Sequence, residues 1–114
     1  MLINIVQAVC ETPKWSFVKY KRQGKGYVRD LWSPLPTLFN YGFVKGEKGG
    51  DGDPQDAIIL GERISQGDEV DMPCRGKVVF FDAGLVDDKI VLSDKALTGW
   101  DVIVIRLFFI SYAL

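Results

Sequence analysis

Apolar residues along this chain fall in short runs bounded by glycine, proline and aspartate, a rhythm that predicts strands more than helices. In chain order the runs read LINIVQAV, SFVKYK, GYVRDL, AIIL, DEVDMPC, KVVFF and KIVLS. SFVKYK alternates apolar and basic positions, which places Lys19 and Lys21 on one face of a strand. AIIL (57–60) and VVFF (78–81) are unbroken, as expected of strands covered on both faces. Short strands separated by frequent turns predict a small barrel. The last apolar stretch, Trp100 to Ala113, holds the β-branched run DVIVI, which favours strand. Yet Val102, Ile105, Phe109 and Tyr112 recur at helical spacing and Asp101 suits a helix N-terminus, so a mostly buried helix is predicted there. No repeat, linker or low-complexity segment divides the chain. Residues 1–114 are therefore expected to form a single domain of mainly β (α+β) class, a small β-barrel with a C-terminal helix packed against it.

Composition narrows the function classes. At 114 residues, 47% hydrophobic and 25% charged, the chain can bury a real core. A net charge of −1 gives no bulk field toward nucleic acid or a membrane. The distribution is lopsided, however. Residues 1–48 carry eight Lys/Arg against three Asp/Glu, net +5, and residues 49–114 carry six against twelve, net −6. A basic half facing an acidic half can hold an anion together with its cations; two differently solvated surfaces is the plainer alternative. Cys10 and Cys74 are far apart and in no metal or redox spacing, which suits a reducing cytoplasm. MLINIVQAV lacks the charged start and cleavage site of a signal peptide. VIVIRLFFISYAL falls short of the ~20 residues of a spanning helix and is interrupted by Arg106. A soluble, cytoplasmic protein is expected. The chain has no histidine, which removes His-dependent triads, His general bases and His-ligated zinc.

The candidate chemistry lies in two acidic turns. GGDGDPQDAIIL (49–60) sets Asp51, Asp53 and Asp56 close together ahead of a buried strand. At ~4 Å and an effective dielectric of ~20, each close carboxylate pair costs roughly 4 kcal/mol. A second turn, FFDAGLVDDKI, supplies Asp82, Asp87 and Asp88. Gly52 permits a sharp turn and Pro54 fixes the backbone before the strand, so several oxygens can aim at one point. Oxygen-only ligands suit Mg²⁺, Mn²⁺ or Ca²⁺; two solvated turns is again the plainer reading. An EF-hand loop starting at Asp51 fails, because Asp56 stands where glycine is required and Pro54 and AIIL fall inside it. GEKGGDG lacks the ending of a phosphate-binding P-loop. Lys14, Lys19, Lys21, Arg22, Lys25 and Arg29, interleaved with Trp15, Phe17, Tyr20 and Tyr27, offer a nucleic-acid face or simply the wet side of a hairpin.

ETPKWSFVKYK, FNYGFV, DGDPQDAIIL, KVVFFDAGLVDDK and FFISY occur in the order and rough spacing of the soluble family I inorganic pyrophosphatases, which this chain resembles over residues 3–112. The resemblance implies an OB-like five-stranded barrel with flanking helices and Mg²⁺-dependent hydrolysis of pyrophosphate to two phosphates, with Mn²⁺ or another divalent cation as a substitute. By motif position it implies Asp51, Asp56, Asp82 and Asp87 as metal ligands and Asp53 as the general base toward water. Glu11, Lys19, Arg29, Tyr41, Lys89 and Tyr112 are implied to line the substrate site. A homo-oligomer is implied as well, without nucleic-acid or membrane partners. Where the family pattern commonly has glutamate after KY, this chain has Lys21. Its Arg29–Asp30 pair is reversed, and Ala83 and Ala113 replace an acidic residue and a lysine. The expectation is an active but weakened or altered enzyme. The alternatives are a non-catalytic metal- or phosphate-binding relic of the fold and a nucleic-acid-binding barrel.

Overall fold

The computed structural model describes the backbone of residues 4–32, 36–48, 54–82 and 85–113, with side chains described except at 30–32, 47–48, 80–82, 85–87 and 108–113. Strands β1 (Ile5–Thr12), β2 (Val18–Gln23), β3 (Gly26–Trp32), β4 (Asn40–Lys48), β5 (Pro54–Ile59), β6 (Glu69–Asp82) and β7 (Leu85–Leu92) precede helix α1 (Gly99–Ala113). Five of them close a barrel in the order β1-β4-β5-β7-β6, while β2 and β3 form a separate hairpin. The β5–β7 pair is parallel and the other pairs are antiparallel. The fold is the expected OB-like barrel with a C-terminal helix.

The apolar runs map onto these strands with two differences. DEVDMPC and KVVFF are halves of one 14-residue strand, β6, whose register shifts between Cys74 and Gly76. A bulge bends such a strand without ending it, so one long strand reads as two short runs. Strand β4 was absent from the expected runs because Gly42 and Gly46 dilute its pattern. Gly46 turns the backbone at φ 82°, in the region glycine favours. Gly42 is needed for closeness: a Cβ there would sit 1.9 Å from the Val9 carbonyl oxygen on β1.

Two apolar layers hold the elements. Inside the barrel, Ala8, Val44, Ala57, Ile59 and Leu92 pack with Val6, Val70, Met72 and Ile90, so every barrel strand contributes. On the outer face, Phe39, Tyr41, Ile58 and Val91 meet Ile105 of α1, with Leu38, Leu60, Val78 and Leu97 around them. Ile58 and Ile59 point to opposite faces and are both fully buried, as expected for AIIL. VVFF departs from expectation, since Val79 is 53% exposed opposite Asp88. Over its described side chains, 99–107, helix α1 is less buried than expected. Ile105 is inserted, while Trp100, Val102, Ile103 and Leu107 are exposed, because one helix laid on a sheet buries a single stripe. Its start is capped reciprocally. Thr98 Oγ1 accepts from the Asp101 amide at 3.2 Å, and Asp101 Oδ2 accepts from the Thr98 amide at 2.9 Å.

Gly42→Ala forces a methyl group against the Val9 backbone. Its stability loss in urea denaturation should reach or exceed the upper end of the roughly 1–3 kcal/mol typical of overpacking. Unaltered stability would refute the close approach of β4 to β1.

Candidate active site

The site begins where β1 loses register. Cys10 pairs with Gly42 and Thr12 with Tyr41, so Glu11 is an extra residue and the strand kinks there. The kink presents Glu11 and Thr12 to the β2–β3 hairpin. Glu11 Oε2 accepts from the Arg22 amide at 2.7 Å. Thr12 Oγ1 accepts from the Tyr20 amide at 2.8 Å and donates to the Tyr20 carbonyl at 3.2 Å. Lys19 lies beside that clamp, with its Nζ 4.5 Å from the centre of the Tyr41 ring. Lys89 Nζ stands 5.5 Å from the same ring. Two ammonium groups thus share one aromatic face system, an attraction worth more when desolvated.

Lys89 is only 6% exposed. An ammonium withdrawn from water needs a countercharge, and Asp56 supplies it, with Oδ2 2.8 Å from Nζ. The parallel ladder sets this pair, because Asp56 and Lys89 are register partners across β5 and β7. Gln55 steadies the neighbouring edge by donating from Nε2 to the Asp88 carbonyl at 2.7 Å. Lys77 pairs with Asp88 at 3.1 Å.

Glu11, Lys19, Tyr41, Asp56 and Lys89, all expected from the sequence, are brought together here. Asp87 lies two residues before Lys89 on β7, in backbone register with Phe80 of β6. Asp82 ends β6 in backbone register with Leu85. Tyr112 belongs to the last turn of α1. Asp51 and Asp53 lie outside the described residues. Among the described residues no three His, Cys, Asp or Glu side chains gather around a point. Of the expected metal ligands, Asp56 alone has a described side chain. Arg29 is not gathered with the others. It is exposed and faces Tyr20 across the hairpin, in the register pair next to Lys19, so the two alternate to opposite faces. Thr12 was missed by the sequence reading. Its only signal is a hydroxyl residue beside Glu11 at a strand end, and many solvated threonines look the same.

Electrostatics separate the groups by role. Burial pushes the Glu11 carboxyl pKa up, and Asp56 adds to the rise, while the Arg22 amide, Lys19 and Lys21 oppose it. The Cys10 thiol is pushed up to about 12 by burial first, then by Asp68 and Glu11. It is a packed apolar group and no nucleophile at neutral pH.

The comparisons with known proteins agree with this architecture. A solved inorganic pyrophosphatase from Coxiella burnetii superposes with a TM-score of 0.81 over 96% of this chain and 77% of that one, at 22% identity, which speaks to the barrel fold. One from Neisseria gonorrhoeae superposes with a TM-score of 0.78 at 26% identity, over 95% of this chain and 71% of the other. The inorganic pyrophosphatase family model matches residues 8–103, and the chain belongs to that family. It is 35% identical over 94 residues to the Campylobacter jejuni inorganic pyrophosphatase, a match covering 77% of this chain and 54% of that protein. The chain spans about half the length of the curated relatives it matches.

Glu11→Gln keeps an oxygen for the Arg22 amide and removes the buried charge. Folding raises the Glu11 pKa, so the folded state holds that proton more tightly than the unfolded one. The group's stabilising contribution is full below the unfolded value of about 4.3 and is lost as pH rises through the higher folded value. Without divalent cations, the variant should melt above the wild type at neutral pH, and the gap should close on acidification. A gap that ignores pH would detach Glu11 ionisation from folding.

Proposed function

We propose that this chain carries the catalytic core of a divalent-cation-dependent inorganic pyrophosphatase, converting pyrophosphate and water to two orthophosphates. The observation that carries the reading is the Asp56–Lys89 pair beside Tyr41, whose ring Lys19 also overlies, with Asp82 and Asp87 on the paired strands β6 and β7. Cations and carboxylates alternate at one place, as a polyanion and its counterions require. The donors are oxygens only, and Asp56 already attracts a cation at 2.8 Å, which fits a hard divalent ion. Asp51, Asp56, Asp82 and Asp87 would hold Mg²⁺, or Mn²⁺ in its place. When bound, such an ion neutralises phosphoryl charge and acidifies a nearby water.

The protein's own groups divide the remaining work. Lys19 and Lys89 attract phosphoryl oxygens, and each acts as a point charge. Asp53 accepts a proton as water attacks phosphorus. The bridging P–O bond breaks, its electron pair leaves with the departing phosphate, and Lys89 and Lys19 stabilise that charge. Glu11, Tyr41 and Tyr112 border the substrate. Arg29, on the opposite hairpin face, contributes to the approach of the anion more than to its grip. Lys21, in place of the family's common glutamate, adds positive charge near Glu11 and alters activity without removing the central set.

In this reading residues 1–114 form one catalytic domain of a cytoplasmic enzyme. No described helix is long and apolar enough to cross a membrane. It assembles as a homo-oligomer, supported by Trp100, Ile103 and Leu107 exposed along one helix. Light scattering at micromolar concentration should return a multiple of the 12.8 kDa chain, and a monomer mass would refute assembly.

Phosphate release from pyrophosphate should require Mg²⁺. Asp53→Asn should lower turnover by roughly 10²–10⁴-fold, the range of general-base assistance, while Mg²⁺ still raises the melting temperature. Asp56→Asn should impair both. No phosphate release under any divalent cation would exclude the enzyme, and wild-type turnover in Asp53→Asn would exclude that residue as the base.

A further inference from the structure

The β2–β3 hairpin is no part of the barrel sheet, yet it carries Lys19. Its placement therefore depends on contacts other than a continuous ladder. Thr12 makes one of these, a two-way contact. The residue is fully buried, and its hydroxyl both accepts from and donates to the peptide groups of Tyr20, the residue after Lys19. In the barrel sheet Thr12 is the register partner of Tyr41, the residue whose ring Lys19 overlies. One side chain thus fixes the hairpin backbone next to the ammonium while its own backbone fixes the strand bearing the ring.

We infer that Thr12 is a positioning residue for phosphate binding, acting by holding Lys19 over Tyr41. The inference rests on the proposed function for its ligand and on the Thr12–Tyr20 geometry for its mechanism. A hydroxyl that mimics a β-ladder pair has no replacement in an apolar side chain. Without it the Tyr20 amide and carbonyl lose a buried partner, and the hairpin gives way at that point. The Glu11–Arg22 contact holds the hairpin further along and the Ser16–Thr37 contacts hold the chain ahead of β2, so the Thr12 bonds are those made at the residue next to Lys19.

The test uses the whole chain with Mg²⁺ and inorganic phosphate as the probe. Thr12→Val removes both hydrogen bonds at nearly constant volume, and Thr12→Ser retains them. Thr12→Ala serves where valine prevents folding. Phosphate binding should weaken roughly tenfold in Thr12→Val, the scale of one buried polar group left unpaired, and recover in Thr12→Ser. With Lys19→Met as background, Thr12→Val should cost almost nothing further, because a positioning residue has nothing left to position. In turnover the same variant should raise KM more than it lowers kcat.

A second readout needs no ligand. The ε-methylene protons of Lys19, assigned by their loss in Lys19→Met, should be shifted upfield by the Tyr41 ring in wild type and Thr12→Ser and return toward ordinary values in Thr12→Val. Additive losses in the Thr12/Lys19 pair, or an unchanged ring shift in Thr12→Val, would overturn the positioning role alone. A wild-type chain that shows the ring shift but binds no phosphate would overturn the inference through the function on which it rests.

Discussion

The parallel pairing of β5 with β7 is the constraint on which the site depends. It sets Asp56 and Lys89 at the same level of adjacent strands, so a lysine in a nearly closed position finds its countercharge without any loop having to supply it. Removing Asp56 would leave the buried Lys89 ammonium without that countercharge, which is costly. The ladder also fixes what surrounds the pair. Ile58 and Val91, each two residues further along its strand, continue the same face into the apolar layer beneath α1. A polar end and an apolar end thus share one sheet face, and the apolar end supplies the rigidity that the polar end requires.

Against that rigid face, the hairpin is an attached arm. Its charges come from the basic half of the chain, while Asp56, Asp82 and Asp87 come from the acidic half. The lopsided charge along the sequence becomes a juxtaposition because β1 and β4, both from the basic half, bracket the barrel beside β5. Tyr41 stands at the seam between the halves, with a lysine from each within 4.5 and 5.5 Å of its ring centre. An aromatic ring suits that position. It attracts both ammonium groups through its π-system, while the charge of Lys89 is also paired with Asp56.

The parts of this arrangement that could be read in the sequence are those written in local pattern. AIIL announced a strand covered on both faces, the spacing of Ile105 with its neighbours announced a helix against the sheet, and KYK, NYG and DDK carried the site residues. What could not be read was set by pairing. Gly42 is the close approach that lets β4 lie against β1, a role no local pattern states. The register shift that frees Glu11 and Thr12 exists only once β1 meets β4. Arg29 shares its hairpin with Lys19 in sequence, but register pairs it with Tyr20 and turns it away. The burial of the first half of α1, residues 99–107, was overestimated because hydrophobicity all around a helix does not reveal how much of it a single sheet can cover.

Pairing also gives a physical reading of Lys21, the departure from the family pattern nearest the site. It lies two residues beyond Lys19 on β2, on the same face, and is exposed, whereas Lys19 is half-buried. Its field reaches Glu11, whose charged form it favours against burial. An exposed ammonium is screened over about 8–10 Å at physiological salt, so under the proposed function Lys21 would add little to the grip on a bound anion and more to its capture. The half-buried lysine over Tyr41 and the buried lysine on Asp56 act where screening is weak. The replacement at 21 therefore changes the electrostatic approach to the site, while the interactions that hold charge in place are the ones the barrel and its tethered hairpin keep out of water.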